Sequence, residues 1–174
     1  HIGFLPQTPP LHPDLTVTEY LEYCAGLRHV PDSEISTAVK AVMGKCGISH
    51  FSKRLLRNLS GGYQQRVGIA QAIIHNPDFV VLDEPTNGLD PNQILDVRHL
   101  IKEIAEEHTV LISTHILSEV QAVCDHIRMI EQGRLVFAGT VEEFDNYIVP
   151  DSLFVSLMAM PAIEDLKRVP GVLD

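Results

Sequence analysis

A basic cluster of the kind that neutralises phosphates along a duplex is missing from this chain. Thirteen Lys and Arg stand against twenty-three Asp and Glu, a formal charge of −10, which argues against nucleic acid as the main partner. No apolar run approaches the roughly 20 residues needed to cross a bilayer, because Asp83, Gln132 and similar residues interrupt the longest ones. Direct membrane insertion is therefore excluded, and any membrane association comes through another protein. Cysteine is scarce. Cys24, Cys46 and Cys124 are odd in number and far apart, with no C-x-x-C pair and no histidine at metal-ligand spacing. That pattern argues against a disulfide framework and a zinc site, and for three reduced thiols in the cytosol. The sequence opens on His1, with neither Met nor a charged-then-apolar leader, and is expected to start inside something longer.

What is present fits one core. The 174 residues are 45% hydrophobic and 21% charged, ordinary values for a globular domain. Residues 1–7 read as the end of a strand running into a loop, since Phe4 and Leu5 favour strands and Pro6 stops the ladder. Thr16 can cap a helix with Val17, Tyr20, Leu21 and Cys24 on one face, and Asp32 or Ser33 a second through about Cys46, ended by Gly47. Residues 49–57 are helical in pattern, with Lys53, Arg54 and Arg57 as a solvated face. Gly61-Gly62 opens a helix to His75, with Val67, Ala70, Gln71 and Ile74 on one side and Asn76-Pro77 closing it.

The second half alternates strand and helix. Phe79-Val80-Val81-Leu82 shows no polar alternation and predicts a parallel strand covered on both faces. Pro91 suits the first position of a helix to about Glu107, and Thr109-Val110-Leu111-Ile112-Ser113 predicts a second buried strand. Strand, helix, strand means a parallel α/β sheet. An amphipathic helix follows over residues 116–125, then a hairpin turning at Gln132-Gly133, then a helix to Tyr147 opened by a Thr140 and Glu143 capping box. After Pro150, a strand over residues 153–157 and a helix from Pro161 to about Val169 suggest the start of an appended unit.

Both core strands end in reactive groups, where open α/β sheets place their ligands. Asp83-Glu84 follows the first and His115 the second. Beside phosphate and a divalent ion, one carboxylate of such a pair can hold the metal while the other orients or deprotonates the attacking water; Asp83 takes the first role and Glu84 the second. Ser60-Gly61-Gly62 at a helix start is physically an anion site, with free N–H groups, a positive dipole end, a hydroxyl and glycines that let phosphate approach.

Leu59-Ser60-Gly61-Gly62-Tyr63-Gln64-Gln65-Arg66, the Asp83-Glu84 pair after an apolar strand, Gly88-Leu89-Asp90 and His115 occur in the order seen in the ATP-binding-cassette (ABC) ATPases, which the chain resembles over residues 1 to about 140. The resemblance implies the α/β ABC-ATPase form of the P-loop NTPase fold. It divides the chain into a core strand and Q-loop (1–7), a helical subdomain with the signature (8–76), half of the RecA-like core (77–149) and the start of a C-terminal extension (150–174). It makes Gln7 the Q-loop glutamine that senses Mg²⁺ or the γ-phosphate. Ser60, Gly61, Gly62 and Gln64 become the signature, Asp83 and Glu84 the Walker B end, Asp90 part of the D-loop that touches a partner subunit, and His115 the H-loop histidine. ATP and Mg²⁺ are the cofactors implied. No G-x-x-x-x-G-K-[ST] phosphate loop occurs in the 174 residues, so the chain carries half of a nucleotide site and is expected to be inactive alone. Tyr63 departs from the glutamine usual at its signature position.

The resemblance also implies partners: a second ATPase subunit in a head-to-tail dimer, and an integral-membrane permease that holds the chain at the cytoplasmic face of the cell membrane. Residues 15–21 and 83–91 look most like cassettes of multidrug or polysaccharide exporters. Two alternatives stay open, a soluble ABC ATPase acting on DNA ends or ribosomes, and an interaction module that kept the fold without turnover. Without the phosphate-loop strand and helix, apolar faces of the sheet lack neighbours, and the chain is expected to associate.

Overall fold

The computed structural model describes residues 1–147; the strand and helix expected after Pro150 lie outside them. Three short strands, β1 (Ile2–Leu5), β2 (Phe79–Asp83) and β3 (Thr109–Ser113), pair in parallel in that order. Leu5 lies opposite Leu82, and Asp83 opposite Ser113. The helix α4 (Pro91–Ala105) makes the crossover from β2 to β3 and starts as expected, with Pro91 in its first turn behind the Asp90 cap.

The long connection from β1 to β2 is helical. α1 (Val17–Leu27) begins on a complete capping box: Thr16 accepts from the Glu19 N–H while Glu19 accepts from the Thr16 N–H. α2 (Asp32–Lys45) begins differently from the expectation. Pro31 occupies the cap with no side-chain bond, and Asp32 and Glu34 fall inside the first turn, where their charge favours the positive end of the helix dipole. Residues 49–57 form two single 3₁₀ turns, Ser49–Phe51 and Leu56–Asn58, rather than one helix. Their backbone groups are used across the chain instead of along it: Val17 N–H donates to Arg54 O and Leu56 N–H to Leu15 O.

The helix α3 (Gly61–Ile73) joins the two parts. It is buried on nearly every side from Val67 to Ile73, and not only on the face of Val67, Ala70, Gln71 and Ile74 expected from the sequence. A Cβ on Gly3 would sit 2.1 Å from the Ala72 carbonyl oxygen, so only glycine lets β1 and α3 approach this closely. The Gln71 side chain donates to Phe4 O at 2.8 Å across the same contact. One apolar cluster runs from Leu21 and Ile48 through Ile69 to Leu82 and Ile104.

Among the described residues the sheet is covered on one face, in line with the expectation of an apolar face left without neighbours and against that of two strands buried on both. Leu5, Val80 and Leu82 are fully buried under α3 and α4, whereas Ile2, Phe4 and Leu111 on the opposite face are 59%, 45% and 51% exposed. An unbroken apolar run shows that a strand suits two covered faces. It cannot say which element covers the second. Beyond β3 come α5 (Leu117–Val123), the hairpin β4 (His126–Glu131) and β5 (Arg134–Thr140), and α6 (Val141–Tyr147). Gln132 and Gly133 both take positive φ, 48° and 75°, as a two-residue hairpin turn requires. The Thr140 and Glu143 capping box forms with both of its bonds.

Candidate functional site

Parallel pairing of β2 with β3 sets Asp83 beside Ser113, so the residues that follow leave the sheet at one edge. Glu84 N–H donates to Ser113 O at 2.8 Å, continuing the ladder by one bond. Glu84 then turns into the left-handed region at φ 47°, an uncommon conformation for a residue with a Cβ that clusters at functional sites. Its Oε1 accepts from the His115 N–H at 3.1 Å and lies 2.7 Å from His115 Nδ1, and its Oε2 accepts from Thr114 Oγ1 at 3.3 Å. The Glu84 side chain is 14% exposed and the His115 ring 74%. Hydrogen bonding to Glu84, then the charge of Glu84, raises the His115 pKa above its ordinary value. The result is an oriented carboxylate held at the mouth of the sheet with one oxygen on an imidazole, suited to positioning a water and taking its proton.

Asp83 ends β2 half-buried, and its carboxylate has no hydrogen-bond partner among the described residues. No group of three His, Cys, Asp or Glu that could hold a metal occurs among them either. That donor set fits Mg²⁺ better than a protein-caged ion, since Mg²⁺ keeps waters and is commonly held through one or two carboxylates plus phosphate oxygens. Gln7, exposed, follows β1 by two residues. β1 runs parallel to β2, so Gln7 leaves the sheet at the same end.

Ser60 caps α3 with its backbone, but its side chain makes no cap bond, which leaves hydroxyl and first-turn N–H groups free for an anion. Gly61 faces open space, and a Cβ on Gly62 would lie 2.6 Å from Gln93 on α4. The Gln64 amide is committed elsewhere, donating to Leu56 O at 3.1 Å and Leu59 O at 3.3 Å; it pins the loop before the helix. Tyr63 packs edge-on against Phe51 at 4.5 Å with Arg66 over its ring, so its side chain is absorbed by an aromatic cluster. Asp90 Oδ1 accepts from the Asn92 and Gln93 N–H groups at 3.0 Å each, capping α4.

Asp83, Glu84 and His115 are thus brought together. Ser60, Gly61, Gly62, Gln64, Gln7 and Asp90 share no hydrogen bond with that trio among the described residues. Three further residues belong with it that the sequence reading missed: Thr86, Thr114 and Glu119. Glu119 is 3% exposed and accepts from Thr86 Oγ1 and, at 3.4 Å, from Thr114 Oγ1. No signal in the local sequence marks this glutamate: α5 leaves Leu117 40% exposed and buries Glu119 instead.

A family model described as ABC transporter matches residues 1–87. An uncharacterized ABC transporter ATP-binding protein of Nostoc sp. is 39% identical over 145 residues, covering 82% of this chain and 43% of that protein. The bacitracin transport ATP-binding protein BcrA of Bacillus licheniformis is 39% identical over 137 residues, covering 78% of this chain and 44% of its own length. Among solved structures, cbiO1 of Clostridium perfringens, part of the ABC transporter complex cbiONQ, superposes with a TM-score of 0.76 at 30% identity, covering 83% of this chain and 59% of that one. The chain spans less than half the length of these two curated relatives.

Proposed function

Because this chain belongs to the ABC transporter family, we propose that it is the signature and Walker B portion of an ATP-hydrolysing subunit that drives a membrane transporter. One observation carries the reading. The ends of two parallel strands bring Glu84 and His115 to 2.7 Å, with Asp83 one residue away and unpaired among the described residues. Glu84 orients and deprotonates the attacking water. His115 holds the Glu84 carboxylate in place through its amide and ring, and stands at the position of the γ-phosphate contact in the family. Asp83, with Gln7, would hold Mg²⁺, which when bound neutralises charge developing on the phosphate oxygens. Ser60, Gly61 and Gly62 present a second anion site on a separate element, which suits a head-to-tail dimer in which each subunit closes the other's nucleotide; Asp90 sits on the loop that would touch the partner.

The phosphate loop is not among these residues, so turnover is proposed for the protein in which this chain and such a loop occur together. An integral-membrane permease is the proposed second partner; cbiO1 is itself part of a transporter complex, and no described helix is long and apolar enough to cross a membrane. We place the subunit at the cytoplasmic face. Export is the proposed direction, supported by the resemblance of residues 15–21 and 83–91 to exporter cassettes.

The test is steady-state Mg-ATP hydrolysis by this chain joined to a phosphate loop, with and without Glu84→Gln. Loss of a general base should lower kcat by at least about 100-fold while nucleotide still binds and the dimer lives longer. Undiminished turnover in the variant overturns the role of Glu84, and turnover by the 174 residues alone overturns the account of the phosphate site.

A further inference from the structure

Glu119 is a carboxylate buried to 3% exposure on a seven-residue helix, a costly placement unless its oxygens are satisfied. Both its side-chain partners are hydroxyls, and they lie on the two loops that carry the site: Thr86, two residues past Glu84, and Thr114, immediately before His115. Thr114 has one proton and two carboxylates in reach, Glu84 Oε2 at 3.3 Å and Glu119 Oε2 at 3.4 Å, while its oxygen accepts from the Ile116 N–H at 3.2 Å. α5 turns this glutamate inward and leaves Leu117 40% exposed, the reverse of what apolar packing alone would select. The carboxylate therefore does something a leucine could not: it joins the loop after β2 to the loop after β3.

We infer that Glu119 is a positioning residue that fixes the Glu84 and His115 pair by tying Thr86 and Thr114 together. The inference rests on the proposed roles of Glu84 and His115, and acts through them. Its demand on residue 119 is an acceptor for Thr86 and a polar atom for Thr114, with no demand on charge. Glutamine meets it: the amide oxygen accepts from Thr86, the amide nitrogen donates to Thr114, and the Thr114 proton passes wholly to Glu84. Alanine releases both loops.

The test compares Glu119→Ala with Glu119→Gln by two readouts. The first is amide hydrogen exchange at His115, whose N–H donates to Glu84. In this chain it should quicken about ten-fold or more in the alanine variant and stay within about three-fold in the glutamine variant, with Val80 and Leu82 unchanged. The second is Mg-ATP turnover of the chain joined to a phosphate loop. There kcat should fall about ten- to hundred-fold with alanine at a KM within about three-fold, and recover with glutamine. Unchanged His115 exchange in the alanine variant overturns the inference, as does equal loss in both variants, which would mean charge is what matters. If the alanine variant does not fold, Thr86→Val and Thr114→Val each release one loop, and exchange at His115 unchanged in both also overturns it. The exchange result does not depend on chemistry, so full turnover by Glu84→Gln would remove the hydrolytic reading while leaving the tie itself measured.

Discussion

The helical region between β1 and β2 and the three-stranded sheet both bury apolar side chains and end in different environments. Val17, Leu21, Ala25, Cys46 and Ile48 are fully buried against their neighbours in the first. In the second, Leu5, Val80 and Leu82 are equally buried, while Ile2, Phe4 and Leu111 on the other face are about half exposed. The helices bury apolar faces against one another and against the sheet, with Tyr23 and Leu27 of α1 left exposed; the sheet buries one side. Yet the sheet carries Asp83, Glu84 and His115. Burial does not hold this site in place. It is held by the parallel register of β2 with β3 and by hydrogen bonds between the loops that follow them.

The largest expected effect tests that contrast directly. Leu21→Ala removes a fully buried side chain from the helical region and should lower unfolding free energy by about 2–5 kcal/mol, whereas Leu111→Ala should change it by less than about 0.5 kcal/mol, both by urea titration. A Leu111→Ala cost matching that of Leu21→Ala would break the comparison, because the open face would then be covered in solution. Sedimentation of both proteins would show whether a second copy covers it. A smaller effect sharpens the contrast. Thr16→Ala deletes half of the capping box on α1 and should lower stability by about 1 kcal/mol in the same titration, while leaving nucleotide-site measurements alone. A change in His115 exchange in that variant would show that the helical region and the site are coupled more tightly than their hydrogen bonds imply.

Much of this was legible in the sequence, and the lapses have physical causes. Pro91 at a helix start, Gln132-Gly133 in a hairpin turn and Thr140 with Glu143 as a capping box each depend on neighbours within a few residues, and each formed as read. Asp83, Glu84 and His115 could be placed together because strand ends in a parallel sheet converge whatever lies between them. Which face of the sheet is covered could not be read locally, because coverage depends on elements distant in sequence. The single helix expected over residues 49–57 failed for a similar reason, since the chain before α1 and the first residues of α1 take up its backbone groups. Glu119 was missed because its burial depends on Thr86, thirty-three residues away, and no local pattern marks a glutamate that turns inward.

The smallest effect concerns the most exposed part of the site. The His115 pKa is raised by its hydrogen bond to Glu84, then by the charge of Glu84, with a lesser contribution from Glu119. A histidine whose folded pKa is raised contributes stability that is fully present below its unfolded value, near 6.5, and lost as pH rises through the higher folded value. The ring is largely in water, so solvent screening keeps the contribution small, and the unfolding midpoint should barely move across that window. The imidazole resonances should move clearly. Followed by NMR, His115 should titrate above its ordinary value in this chain and fall back toward it in Glu84→Gln, where the carboxylate charge is gone. Above the folded value Glu84 still accepts from the His115 N–H and lies within reach of the Thr114 hydroxyl, so its carboxylate stays in place as the ring loses its charge. An ordinary His115 pKa in the intact chain would mean that the two loops do not hold the pair together in solution. The contrast drawn above would then fail at the site, with the helical region packed and the strand ends free.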